Sequence, residues 1–205
     1  MELFSTKPPR SRLLDLPAEL REHIFSIAVT SEKPIVTFRL DKFQKESYAQ
    51  AFQPSITKVS RQVRREALPL YYDRNEFIIH TEGQKAEDAH RWLHYSQPHL
   101  PKLCRLALWM RYVTLTNDHS PSSGAIGVYL RHDPRVNCWV VGDTWRWITV
   151  VRKPAGVEWD GLLLIQFLTQ LVNARSRSEL TAEDYVGIMG DLKMLYIKDK
   201  MNSIG

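Results

Sequence analysis

Two histidines one helical turn apart, His90 and His94, are the arrangement in this chain closest to metal chemistry. At i, i+4 both imidazoles lie on one side of a helix and can reach a single ion. The residues between them are Arg91-Trp92-Leu93, without the glutamate that a zinc hydrolase sets there as general base. The pair therefore reads as packed or solvated imidazoles. Cys104 and Cys138 each sit in an apolar, strand-like run. Buried thiols of that kind are inert, and two cysteines make no disulfide framework. Arg131-His132-Asp133-Pro134-Arg135 gathers polar groups at a turn and reads as a surface loop. Neither a phosphate-cradling glycine loop nor a Gly-x-Ser-x-Gly elbow occurs. With no nucleophile, acid or base beside a group that tunes it, the expectation is no catalytic residue, no metal and no cofactor.

Binding chemistry offers more. Lys58, Arg61 and Arg65 fall on one helical stripe, with Arg64 on its flank. Such an edge is ordinarily solvated or ion-paired, and it is also the minimum that phosphate contact requires. Among six tryptophans, Trp145 and Trp147 alternate and so share a sheet face, with Arg146 opposite and Trp139 on a neighbouring strand. Core packing is the expected use of these rings; a partner groove or the stacking of single-stranded bases are the others.

The elements that must carry these residues follow from periodicity. Pro17 opens a helix, with Glu19 and Glu22 early in it and Leu20, Ile24, Ile27 and Ala28 as its apolar stripe. Pro34–Leu40 alternates like a strand, and residues 41–53 form an unassigned connector. A second helix is expected over Ser55–Tyr72, along Ile56, Val59, Val63, Ala67 and Leu70, kinked or ended by Pro69. Asp73-Arg74-Asn75 reads as a turn, Glu76–Thr81 as a strand, and Gln84–Tyr95 as a helix closed by Pro98. Strands are expected over Leu103–Met110, with a continuation to Thr116, then Ile126–Arg131, Val136–Val141 and Trp145–Val151. Asp118–Gly124 is the most loop-like stretch, and Gly142-Asp143 has hairpin character. Asp160–Arg175 reads as a buried helix; Thr181 and Asp184 form a capping box for a last helix along Tyr185, Ile188, Leu192 and Leu195. Strands and helices come in blocks, which predicts an α+β fold. Pro34–Leu40, Glu76–Thr81 and Leu103–Trp109 are expected in one sheet.

Leu16-Pro17-x-Glu19-Leu20-x-x-x-Ile24, followed by Val59-Ser60-Arg61-x-x-Arg64, is similar to the two halves of an F-box. A strand and a connector separate the halves. In this split form the chain resembles a fungal family of F-box-like proteins with an E-x-R signature, here Glu19-Leu20-Arg21. The second motif of that family stands here as Val59-Ser60-Arg61-Gln62-Val63-Arg64-Arg65-Glu66-Ala67-Leu68-Pro69-Leu70-Tyr71-Tyr72-Asp73-Arg74-Asn75-Glu76-Phe77. The likeness covers about residues 12–80, and more loosely the region from Trp92 to Leu108 and the terminal helix. It implies a protein partner, the adaptor Skp1 of a ubiquitin ligase, engaged through Leu16, Pro17, Leu20, Ile24, Arg61 and Arg64. That role needs the Leu-Pro helix to face outward. Its single apolar stripe equally suits packing on a sheet, with the motif absorbed into the core. If the two helices pack together, Arg21 with Glu66, and Glu19 with Arg61 or Arg64, would form cross-helix ion pairs.

Composition bounds the rest. The chain has 205 residues and a net charge of +5, mildly basic, which permits nucleic-acid contact without requiring it. Its longest strongly apolar run, Leu162–Leu168, is too short to span a bilayer, and Met1–Lys7 lacks the pattern of a signal peptide. The expected organisation is a flexible arm over residues 1–12 and a single F-box-like α+β domain over 13–205, in the cytoplasm or nucleus and without membrane contact. The expected function is a non-enzymatic interaction module, an adaptor linking Skp1 to a client. The alternatives are a regulatory binding module with an internalised motif and a basic nucleic-acid-associated factor.

Overall fold

Pro17, with extended backbone, sits at the N-cap of the first helix, α1 (Ala18–Val29), where its missing N–H leaves no bond unmade. The computed structural model describes residues 12–39, 51–113, 124–149, 152–175 and 179–202. The expected N-terminal arm, the connector over 41–50, the extension of the Leu103 strand past residue 113 and the loop over 118–123 lie outside the described residues.

After α1 come β1 (Ile35–Val36), a 3-10 turn (Ser55–Lys58), α2 (Arg61–Arg74), β2 (Glu76–His80), α3 (Gly83–Ser96), a second 3-10 turn (Gln97–Lys102) and β3 (Arg105–Arg111). The chain continues through β4 (Ala125–Asp133), β5 (Cys138–Trp147), α4 (Val157–Arg175) and α5 (Ala182–Asn202). The five strands form one sheet in chain order, parallel across β1-β2-β3 and antiparallel across β3-β4-β5. This is the α+β architecture expected, with β1, β2 and β3 in one sheet as predicted.

One face of the sheet carries the main core. Phe77, Ile79, Leu106, Leu108, Ile126 and Val128 pack there in one cluster with buried residues from each of α1 to α5. Trp139 is buried in it, and Trp145 and Trp147 pack against it half-buried, so these rings are core as expected. Gly161 of α4 lies so close to the Trp145 indole that a Cβ would stand 2.3 Å from it. Asp160, buried between α4 and α5, pairs with Lys200 and accepts from the Tyr196 hydroxyl at 3.2 Å. The opposite face holds a second, smaller cluster: Phe38, Ile78 and Ala107, with Val36, Trp109 and Tyr129 packed against them.

Several boundaries differ from expectation. The expected helix over Ser55–Tyr72 is broken, because the Ser60 side chain accepts the Val63 N–H at 3.1 Å and starts α2 afresh. Pro69 neither ends nor limits α2; burial of Val63, Ala67, Leu68, Tyr71 and Tyr72 along one side outweighs an interior proline's cost of about 3 kcal/mol. Strand β1 is two residues, not seven. Thr37 still gives its N–H to the Ile78 carbonyl (3.0 Å), but the chain then leaves the sheet and Arg39 forks onto Asp88 of α3 through two 2.9 Å bonds. The two expected strands over Val136–Val141 and Trp145–Val151 are one strand, β5, so Trp139 shares a strand with Trp145 and Trp147. The hairpin lies at residues 134–137, where Asn137 takes φ 49°, and the Gly142 region carries a register shift instead. Helix α4 starts at Val157 and is only partly buried, with Trp159 and Leu162 in solvent. The Thr181–Asp184 capping box forms as read: Thr181 N donates to Asp184 Oδ2 (2.9 Å) and Asp184 N to Thr181 Oγ1 (3.2 Å).

Candidate partner-docking surface

The apolar stripe expected to bury α1 faces solvent. Leu20 is 53% exposed, Ile24 38% and Ile27 67%. The side that packs is the one a third of a turn away: Arg21, Phe25 and Val29, at i, i+4 and i+8. Phe25 and Val29 join Val63 and Ala67 of α2 in the core cluster. The two motif halves therefore pack together, but not through Leu20, Ile24 and Val59. Val59, expected on the α2 stripe, lies in the bend before Ser60 and is 75% exposed. Phe25 decides the register of α1, because its ring outweighs either of the flanking aliphatic side chains as a group to bury.

Two polar devices hold α1 in this orientation. Arg21 forks onto Glu66 of α2, Nε to Oε2 at 2.8 Å and Nη2 to Oε1 at 3.0 Å, as expected from the sequence. The same guanidinium donates to the Leu16 carbonyl, so it orients the Leu-Pro segment as well. The Arg21 hydrogen bonds, with one from Gln62, hold the Glu66 carboxyl below its ordinary range, and the Glu66 bond raises Arg21 in turn. The second device is Asn75, just past α2. Its Nδ2 donates to the carbonyls of Val29 (2.9 Å) and Tyr71 (2.7 Å), and its Oδ1 accepts from Ser31 N (2.7 Å). Sequence reasoning read Asn75 only as a turn residue. Its place straight after the α2 aromatics and before a strand was the available signal, since asparagine suits a helix end where backbone groups lack partners.

Leu16 is half-buried and Pro17 is exposed, at the head of the surface formed by Leu20, Ile24 and Ile27. Arg61 and Arg64 are exposed in the first turn of α2, and Arg64 Nε donates to the Thr57 carbonyl at 3.1 Å. Among the described residues Glu19 pairs with neither, contrary to expectation; Glu19 and Arg61 both stand in solvent, where a pair gains little. Lys58 and Arg65 are exposed beside them, whereas Arg105 and Arg111 belong to the far face of the sheet, so no single basic face joins them.

The candidates for chemistry remain apart. Among the described residues no group of three or more histidine, cysteine or acidic side chains could hold a metal. His94 Nδ1 lies 3.7 Å from Glu183, while His90 is half-buried and its pKa is lowered by burial. Cys104 donates to Asp73 Oδ1 at 3.2 Å; burial, and then that carboxylate, push the thiol up to about 11, which keeps it protonated and unreactive. In the turn after β4, Asp133 accepts from Arg135 N at 2.9 Å. Comparisons of the chain with protein-family models, curated proteins and solved structures find no match.

Proposed function

We propose that this chain is a non-enzymatic, F-box-like adaptor whose α1 docks on a Skp1-type protein through Leu16, Pro17, Leu20 and Ile24, extended by Ile27 and Val59, with Arg61 and Arg64 as polar contacts at the rim. The observation that carries this reading is the exposure of the Leu-Pro helix. Its apolar side chains stay in water while Phe25 and Val29 do the packing. The exposed fractions of Leu20, Ile24, Ile27 and Val59 amount to a little over two whole side chains, so covering them would release about 3–7 kcal/mol at 1.5–3 kcal/mol per side chain. That is a large part of the roughly 8 kcal/mol of a micromolar complex. A reading in which the motif is merely core has less support, because the core residues of α1 are not those of the Leu-Pro motif.

The test is titration calorimetry of the full chain against a Skp1-type adaptor. Leu20→Glu with Ile24→Glu should weaken binding at least tenfold and leave the thermal midpoint within a few degrees, since both positions are exposed. A wild-type chain that forms no complex at roughly 10 μM, where a micromolar complex would be populated, overturns the reading.

A further inference from the structure

The sheet face turned away from the main core has no part in the α1 surface, yet it carries an ordered arrangement of charge and aromatic rings. The strand pairing places Arg105 opposite Arg131, Ala107 opposite Tyr129, Trp109 opposite Gly127, and Arg111 opposite Ala125. Gly127 in turn pairs with Arg146, and Arg131 with Val140. Directly opposed residues lie on one face, so Arg105, Arg111, Arg131, Arg146, Trp109 and Tyr129 share it. Arg105 and Arg131 sit at one end and Arg111 at the other, the two rings lie between them, and Arg146 flanks the rings from β5. From Arg105 to Arg111 is about 20 Å, and from β3 to β5 about 10 Å.

Its charge, its exposed rings and its shape set this face apart from an ordinary solvated surface. All four arginines are exposed, and none makes an ion pair among the described residues; Arg105 instead donates to the Arg74 carbonyl. Arg105 and Arg131 are like charges directly opposite one another, an arrangement that destabilises a sheet. Glu76, Asp133 and Asp143 offset part of this charge, but with Lys85 over the Phe38 ring the face keeps a positive excess and is complementary to a polyanion. Trp109 and Tyr129 are half-exposed over the buried Ala107 and Gly127, and Arg146 stands 5.8 Å from the Tyr129 ring centre. Among the described residues no apolar helix side chain joins the cluster beneath them, and Lys85 of α3 stands 5.6 Å from the Phe38 ring centre at its border. Between β3 and β5 the face forms a concavity of about 550 Å³ bordered by Arg105, Tyr129, Arg131 and Val140, with Glu76 and Asp143 also on its wall.

The geometry points to this sheet face as a binding platform for single-stranded nucleic acid, with phosphates on Arg105, Arg111, Arg131 and Arg146 and bases stacked at Tyr129 and Trp109. An acidic peptide would satisfy the arginines but has no use for two ring faces at their centre; a base has a π-face for each. The platform needs neither Skp1 nor α1.

The test is fluorescence anisotropy of a fluorescein-labelled 15-mer oligouridylate titrated with the full chain. Saturable binding is expected, with log K falling against log salt at a slope near −3, from about 0.7 per phosphate contact on a single strand. Arg131→Glu with Arg146→Glu should weaken binding at least tenfold, and Tyr129→Leu by about fivefold or more for a lost stacking contact. Lys58→Glu with Arg65→Glu, on α2, should leave it unchanged; thermal melts establish that each variant is folded. The proposal is overturned by an absence of saturable binding at low salt or by unaltered affinity in the folded arginine variant. It is also overturned if Tyr129→Leu binds like wild type while poly-glutamate of equal length competes as well as unlabelled oligonucleotide, because the face would then serve acidic peptide.

Discussion

Asn75→Ala is expected to destabilise the chain by about 3 kcal/mol, although it removes only a few atoms. Asn75 is 2% exposed and makes three hydrogen bonds of 2.7–2.9 Å, to Val29, Tyr71 and Ser31. A neutral bond contributes about 1 kcal/mol net, and a buried group left without its partner costs about 1–3 kcal/mol. Ser31 is exposed and its N–H can turn to water, whereas Val29 is buried and its carbonyl loses the amide beyond the last turn of α1. For a chain of this size 3 kcal/mol corresponds to about 6–12 °C in thermal midpoint. Asn75→Asp separates the contributions. It keeps an acceptor for Ser31 N but sets a carboxylate oxygen against two carbonyl oxygens, so it should destabilise at least as much as alanine despite near-identical shape. Urea denaturation measures both, and amide exchange should show faster opening at the end of α1 than in β3. If both variants lose less than about 1 kcal/mol, Asn75 is not the clamp that fixes α1, and the argument fails.

Two further outcomes are expected from the same packing. Val63→Asp, at a position 2% exposed between α1 and α2, should cost about 3–5 kcal/mol in urea denaturation by burying an unpaired charge; a loss below about 1 kcal/mol would mean the helix interface is not where the core cluster puts it. His80 is held neutral, its pKa pushed down to about 4 by burial first and then by Lys85 and Arg111. The unfolded chain takes up that proton near pH 6.5 and the folded chain does not, so this group's contribution is complete above about pH 6.5 and is lost progressively down to about pH 4. His80→Gln should flatten stability across that window, and superposable wild-type and variant profiles would contradict the assignment.

Most of the sheet was legible because its strands are runs of apolar and β-branched residues that only burial explains. Phe77-Ile78-Ile79 and Leu106-Ala107-Leu108 supply both faces, and all six side chains are buried, Ile78 and Ala107 against Phe38, Trp109 and Tyr129. Local signals that need no tertiary information also carried through: Pro17 at a helix start, and the Thr181–Asp184 box. What failed was the choice between two faces of one helix. Leu20, Ile24 and Ile27 make as good a stripe in sequence as Arg21, Phe25 and Val29, and the second contains a cation. The Arg21–Glu66 pair could be read from the sequence, but periodicity counts apolar residues and does not show that forming this pair turns the Leu20 stripe outward. The same blindness hid Asn75, whose partners lie 44 and 46 residues away. The open sheet face was equally unreadable, because its arginines and rings are scattered over β3, β4 and β5 until strand pairing aligns them.

Because the sheet follows chain order, β1 and β5 are its two borders, and they are unequal. A bare strand edge is a template on which another chain can add itself and propagate. On the β1 side that template is two residues long before Arg39 draws the chain off to Asp88. Ten residues of β5 form the other border, where a register shift interrupts the ladder and α4 seats Gly161 against Trp145. Among the described residues the β1 border is short and the β5 border is irregular in register, so neither is a long, even template. Growth of the sheet from molecule to molecule is thereby hindered at both ends, by shortness at β1 and by irregularity at β5.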